Sequence, residues 1–264
     1  MKSNRPTVAD ILALKGKRQL SMLRVVTLEE AEAAEKAGIE MVSVPPALLG
    51  PAFREAAPTL FAIPGLEYGD YVTAEEYLRA AFTAMKAGGD AVYCAASMGI
   101  VRRLRDEGIP VCGHSGLIPS QATWTGGFKA VGKTADSALS IWMAVQALEE
   151  AGAFAAEIEV VPAEVAALIS AKTSLFMISM GAGAGCDAQY LFADDVLGQT
   201  RGHVPRHAKT YRNFAAEYDR LQQERIAAFR EFRQDVESGA YPADRHNVGL
   251  PADQLARFTT MING

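Results

Sequence analysis

Four times along this chain a helical segment stops at glycine and a short apolar run begins within a few residues. Gly38 precedes a run at 39–44, Gly88-Gly89 one at 90–95, Gly108 one at 109–112 and Gly152 one at 156–161. Glycine ends helices because it enters the left-handed region without a Cβ clash. The repeated unit is therefore helix, stop, strand. Strands that alternate with helices pair in parallel, since each crossover carries the chain back to the same sheet end. The series extends with strands at 19–26, 60–63 and 173–180, and helices at 28–37, 73–87, 97–107, 134–151 and 163–172. A short helix at 7–15, capped by Thr7, comes first. Seven to eight such units in 264 residues fit a (β/α)8 barrel. The rival is an open doubly wound sheet, but no G-x-G-x-x-G follows the first strand. The expected organisation is one barrel domain over residues 1–264, with a C-terminal helical extension from about 205 to 264.

Charge and cysteine usage narrow the function. With 26 basic and 31 acidic side chains the net charge is −5, which argues against nucleic acid or an anionic membrane surface as partner. No apolar stretch reaches the roughly 18 residues a membrane span requires. The beginning, MKSNRPTVAD, is too polar for a secretory signal. Cys94, Cys112 and Cys186 are far apart and form no metal-binding pair, so reduced thiols and a cytoplasmic location are expected.

In a barrel, chemistry sits at the C-terminal ends of the strands. His114 directly follows the run 109–112, and Glu159 lies within the apolar run 156–161, where an ionised carboxylate is costly unless it is paired or used. Glu67 and Asp70 follow the third strand; Cys94 and Ser97 follow the fourth. Gly181 opens the stretch Gly-Ala-Gly-Ala-Gly, a loop whose backbone could approach an anion or simply turn tightly. Asp194-Asp195 could serve the site or start a helix near Val196. Met177, Met180, Trp124 and Phe128 read as packing residues, and Arg102, Arg103 and Arg105 as a solvated helix face.

"IPVCGHSGLIPSQ", "GGFKAVGKTADSA", "IEVVPAEVAALIS", "ISMGAGAGCDAQYLFADDVLG", "TRGHVPRHAKTY" and "VESGAYPADRH" together resemble the ketopantoate hydroxymethyltransferase family, in order and spacing, from about residue 8 to 247. The resemblance implies a (β/α)8 barrel of the phosphoenolpyruvate mutase and isocitrate lyase type, assembled into large homo-oligomeric rings. It implies transfer of a one-carbon unit from methylenetetrahydrofolate to a small 2-oxo acid, 3-methyl-2-oxobutanoate, in pantothenate synthesis. The family's base falls on Glu159 and its motif histidine on His114. Tyr93, Cys94, Glu67 and Gly181 lie where substrate contacts would come.

The family's Mg²⁺ is not matched. Its ligand positions fall on Pro46, on or near Gly65, and on Ala95, and its lysine falls on Tyr93. Three readings therefore stand. One is a hydroxymethyltransferase whose ligands have moved, to Glu67, Asp70 or Cys94. The second is a diverged metal-independent carbon–carbon lyase, tautomerase or hydrolase that keeps Glu159 and His114. The third is a non-catalytic paralogue that binds a ligand or fills a place in an assembly.

Overall fold

The computed structural model describes residues 5–264, in which eight parallel strands close into a barrel in chain order. The strands are β1 (Leu20–Arg24), β2 (Met41–Val44), β3 (Phe61–Leu66), β4 (Val92–Cys94), β5 (Val111–Gly116), β6 (Ala155–Glu159), β7 (Phe176–Met180) and β8 (Ala188–Phe192). Between and around them run α1 (Val8–Leu12), α2 (Leu28–Ala37), α3 (Pro51–Ala56), α4 (Ala74–Lys86), α5 (Met98–Asp106), α6 (Ala122–Thr125), α7 (Ala135–Glu150), α8 (Ala163–Lys172) and α9 (Ala193–Leu197).

Local chemistry accounts for these boundaries. Thr7 and Thr73 each close a capping box, with Asp10 and Glu76, at the starts of α1 and α4. Gly38 ends α2 at φ 76°. β3 runs on through Pro64-Gly65, where the sequence suggests a break, because Pro64 keeps an extended conformation and pairs in register with Val44. β8 has no counterpart among the expected strands, and α3 forms after Pro45-Pro46 in a stretch with no expected helix.

Alternation along each strand sorts its side chains into two cores. Phe61, Ile63, Cys112, Phe176 and Ile178 fill the barrel, while Val92, Cys94, Ala156, Ile158 and Met177 face the helices. The N-terminal end of the barrel is stapled by buried charge. Asp90 pairs with Arg54 at 2.7 Å and Arg5 at 2.9 Å. Asp187 pairs with Lys15 at 2.8 Å and accepts the N–H of Met177 at 2.8 Å. That end serves stability, which leaves the opposite end for chemistry.

Residues Asn213–Gly264 form a second compact unit, built from α10 (Phe214–Ser238) and α11 (Ala252–Ile262). Phe229, Phe232 and Val236 on α10, and Leu255, Phe258 and Met261 on α11, are exposed. Among the described residues no helix is long and apolar enough to cross a membrane.

Candidate active site

β5 and β6 pair so that His114 sits level with Glu157, and Gly116 with Glu159. Two glycines make room around β5, one for the helix behind it and one for β6. A Cβ at Gly113 would lie 2.4 Å from Leu148 of α7, and one at Gly116 would lie 2.4 Å from the Glu159 carbonyl oxygen. The β6 backbone is then pinned: Ser115 Oγ donates to the Glu157 carbonyl at 3.0 Å, and the Leu117 N–H to the Glu159 carbonyl at 2.9 Å. β6 stops at Glu159 because Val160 adopts φ 49°. A β-branched residue there is strained by about 1–3 kcal/mol, a cost found most often at functional sites.

Because Ala156 and Ile158 face the helices, Glu157 and Glu159 both point into the barrel. His114 Nε2 lies 3.1 Å from Glu159 Oε2. The two atoms are close but misaligned, so Nε2, although buried, has no hydrogen-bond partner within the protein. Nδ1 of the same ring is held by the Tyr93 hydroxyl from β4. Burial alone would lower the His114 pKa, but the carboxylates of Glu157 and Glu159 outweigh it and raise the pKa above the usual histidine value. Burial, with the Glu159 charge beside it, raises the Glu157 pKa, against the pull of His114. The site therefore favours a protonated His114, with Glu157 inclined to keep its proton.

A cavity of about 670 Å³ opens over this cluster at the C-terminal strand ends. Its walls include Arg24, Ser43, Gly65, Glu67, Tyr93, Ala95, His114, Glu157, Glu159, Met180, Phe192 and His207. His114, Glu159 and Tyr93 are thus brought together. Glu67 stands at the rim, 55% exposed, and accepts from Arg24 at 3.5 Å. Cys94 is a correction: it is on the outer side of β4, buried against the helices with Tyr77 and Val101, and does not line the cavity. Burial pushes its thiol pKa up to about 11, so it is an inert packing group. Gly181 lies behind the wall; at φ 65° it clears room for the His207 ring, which its Cβ would meet at 2.8 Å. Gly183 and Gly185 press against Ala163 and Ala167 of α8, so close packing accounts for this glycine-rich loop. Asp70 and Ser97 are exposed, and Trp124 and Phe128 are exposed rather than packed. Asp194 and Asp195 fall in the first turn of α9, where Asp195 accepts from Thr200.

Pro46, Gly65 and Ala95 offer no side-chain oxygen, so the residues present do not fit Mg²⁺ at the positions that the family resemblance implies. One donor atom each from His114, Glu157 and Glu159 lies within 4.8 Å of the others, and these three could grip a different divalent ion.

The ketopantoate hydroxymethyltransferase family model matches residues 47–244. The chain belongs to that family. A 3-methyl-2-oxobutanoate hydroxymethyltransferase of Kosmotoga olearia is 33% identical over 259 residues, 89% of this chain and 94% of that one. One from Thermus thermophilus is 35% identical over 267 residues, 92% and 99% of the two chains. Among solved structures, a phosphoenolpyruvate phosphomutase from Streptomyces platensis subsp. rosaceus superposes with a TM-score of 0.53 at 13% identity, covering 98% and 96% of the chains. A 2,3-dimethylmalate lyase of the PEP mutase/isocitrate lyase superfamily gives 0.51 at 13% identity, covering 98% and 100%. These two likenesses establish the barrel type. As a ketopantoate hydroxymethyltransferase family member, the chain is hydroxymethyltransferase-like.

Proposed function

We propose that this protein performs carbon–carbon chemistry on a small 2-oxo acid through an enolate, with Glu159 as the base. The contact between Glu159 and the otherwise unpartnered Nε2 of His114, on the floor of the mouth cavity, carries this reading. The Glu159 carboxylate takes the proton from the carbon next to the keto group. His114, steadied at Nδ1 by Tyr93, donates from Nε2 to the developing enolate oxygen. His114 and Glu157 are themselves buried, which strengthens these interactions.

The first substrate to test is 3-methyl-2-oxobutanoate, with methylenetetrahydrofolate as the one-carbon donor. The cavity is walled by residues from different strands, including Tyr93, His114 and Glu159, and a non-catalytic scaffold would not need the destabilising pair Glu157 and Glu159 inside it. Three free, buried cysteines support a cytoplasmic setting. The exposed apolar side chains of α10 and α11 support a homo-oligomer.

The test is α-proton exchange in D₂O, followed by NMR, with 3-methyl-2-oxobutanoate, oxaloacetate and related 2-oxo acids. Enzyme-dependent exchange is expected with at least one of them. Exchange with none would turn the reading away from enolate chemistry.

A further inference from the structure

Among the described residues that line the cavity, Arg24 carries the one permanent positive charge. It is the last residue of β1, level with Ser43 of β2 and Phe192 of β8, so its side chain starts at the C-terminal rim and enters the mouth. The guanidinium carbon lies 5.8 Å from the centre of the Phe192 ring. That ring gives it a face to rest on. Glu67 takes only one of its five N–H groups, at 3.5 Å, the outer limit of a hydrogen bond. Its side chain is 26% exposed, against 55% for Glu67, so the guanidinium faces the cavity while its partner faces solvent.

A 2-oxo acid enters as an anion, and proton removal adds a second negative charge. The cavity already holds Glu157 and Glu159, and its walls at Gly65 and Ala95 offer no group to hold a cation. His114 can meet the enolate oxygen, but it sits on β5 and is occupied by that task. The carboxylate of the substrate needs a second cation on another wall, and a guanidinium matches a carboxylate with two parallel N–H donors.

We propose that Arg24 is the carboxylate-binding residue of this site. It anchors the 2-oxo acid at the β1 side of the mouth and turns the reacting carbon toward Glu159. This rests on the enolate reading above, and it adds a specificity. Free 2-oxo acids are taken, while the amide and ester analogues, which lack the charge, are refused. Glu67 competes for the same guanidinium and is displaced on binding.

The test separates binding from chemistry by using 3,3-dimethyl-2-oxobutanoate, which has no α-proton to lose. Its Kd is measured by calorimetry for the wild type, Arg24→Gln, Arg24→Lys and Glu67→Gln. Losing a charge-assisted bidentate contact should weaken binding by about ten- to a hundred-fold in Arg24→Gln. Arg24→Lys should recover only part of it. Glu67→Gln should bind as tightly as wild type or a few-fold more tightly, which a purely structural Arg24–Glu67 pair would not produce. In proton exchange, KM should rise more than kcat falls, and the preference for acid over amide should shrink in Arg24→Gln. Equal Kd values for wild type and Arg24→Gln, both folded by circular dichroism, would overturn the assignment while leaving the enolate reading intact. Wild-type protein that binds no 2-oxo acid would overturn both.

Discussion

Glu157→Gln should make the protein more stable and less active. The carboxylate is buried and its pKa is raised, so ionising it costs the folded state more than the unfolded one. Gln keeps the shape and removes the charge. Removing that ionisation penalty is worth on the order of 1–2 kcal/mol. For a unit the size of this barrel, each kcal/mol moves Tm by roughly 2–4 °C, so the gain is about 2–8 °C. The sign with pH follows from the direction of the shift. An acid with a raised folded pKa carries no penalty below its unfolded pKa, about 4.3. The penalty grows as pH rises towards the folded value, and above that it is complete. Thermal unfolding of both proteins, with EDTA present, should show a gap near neutrality that closes towards about pH 4. A variant less stable than wild type near neutrality, or a gap unchanged with pH, would mean that Glu157 is a satisfied structural carboxylate and the charge pattern above is wrong.

Two further outcomes test neighbouring parts of the account. Gly183→Ala places a methyl group 2.4 Å from the Ala163 Cβ at a left-handed φ, so it should lower stability by about 1–3 kcal/mol in chemical denaturation, with KM little changed; a large rise in KM alone would restore a ligand role to the glycine-rich loop. Zn²⁺ held by His114, Glu157 and Glu159 would take the base oxygen, so it should inhibit proton exchange, and Glu157→Gln should weaken the inhibition at least about ten-fold; activation by Zn²⁺ would make Glu159 a metal ligand instead of the base.

The barrel was legible because its signals are local. Glycine stops, threonine caps and apolar runs are each set by a few neighbouring residues. β8 lacked such a signal: Ala188–Phe192 follows the Gly181–Gly185 turn with no helix before it, and only pairing with β1 and β7 defines it as a strand. His114 and Glu159 could be found from their places at strand ends. Glu157 was missed, although the signal was present: in Ala-Ala-Glu-Ile-Glu, period-two alternation puts both carboxylates on one face. Cys94 was misplaced for the same reason, since alternation from the inward Tyr93 turns it to the helices. Arg24 carried no mark of its own in the sequence, because its role depends on the cavity that other strands build around it.

The most direct measurement compares α-proton exchange by wild type and Glu159→Gln in D₂O, on whichever 2-oxo acid the wild type exchanges. General-base catalysis is worth about 10²–10⁴-fold, so kcat for exchange should fall by that factor, while 3,3-dimethyl-2-oxobutanoate still binds. Exchange at the wild-type rate in Glu159→Gln would remove this carboxylate from proton transfer and contradict the central claim.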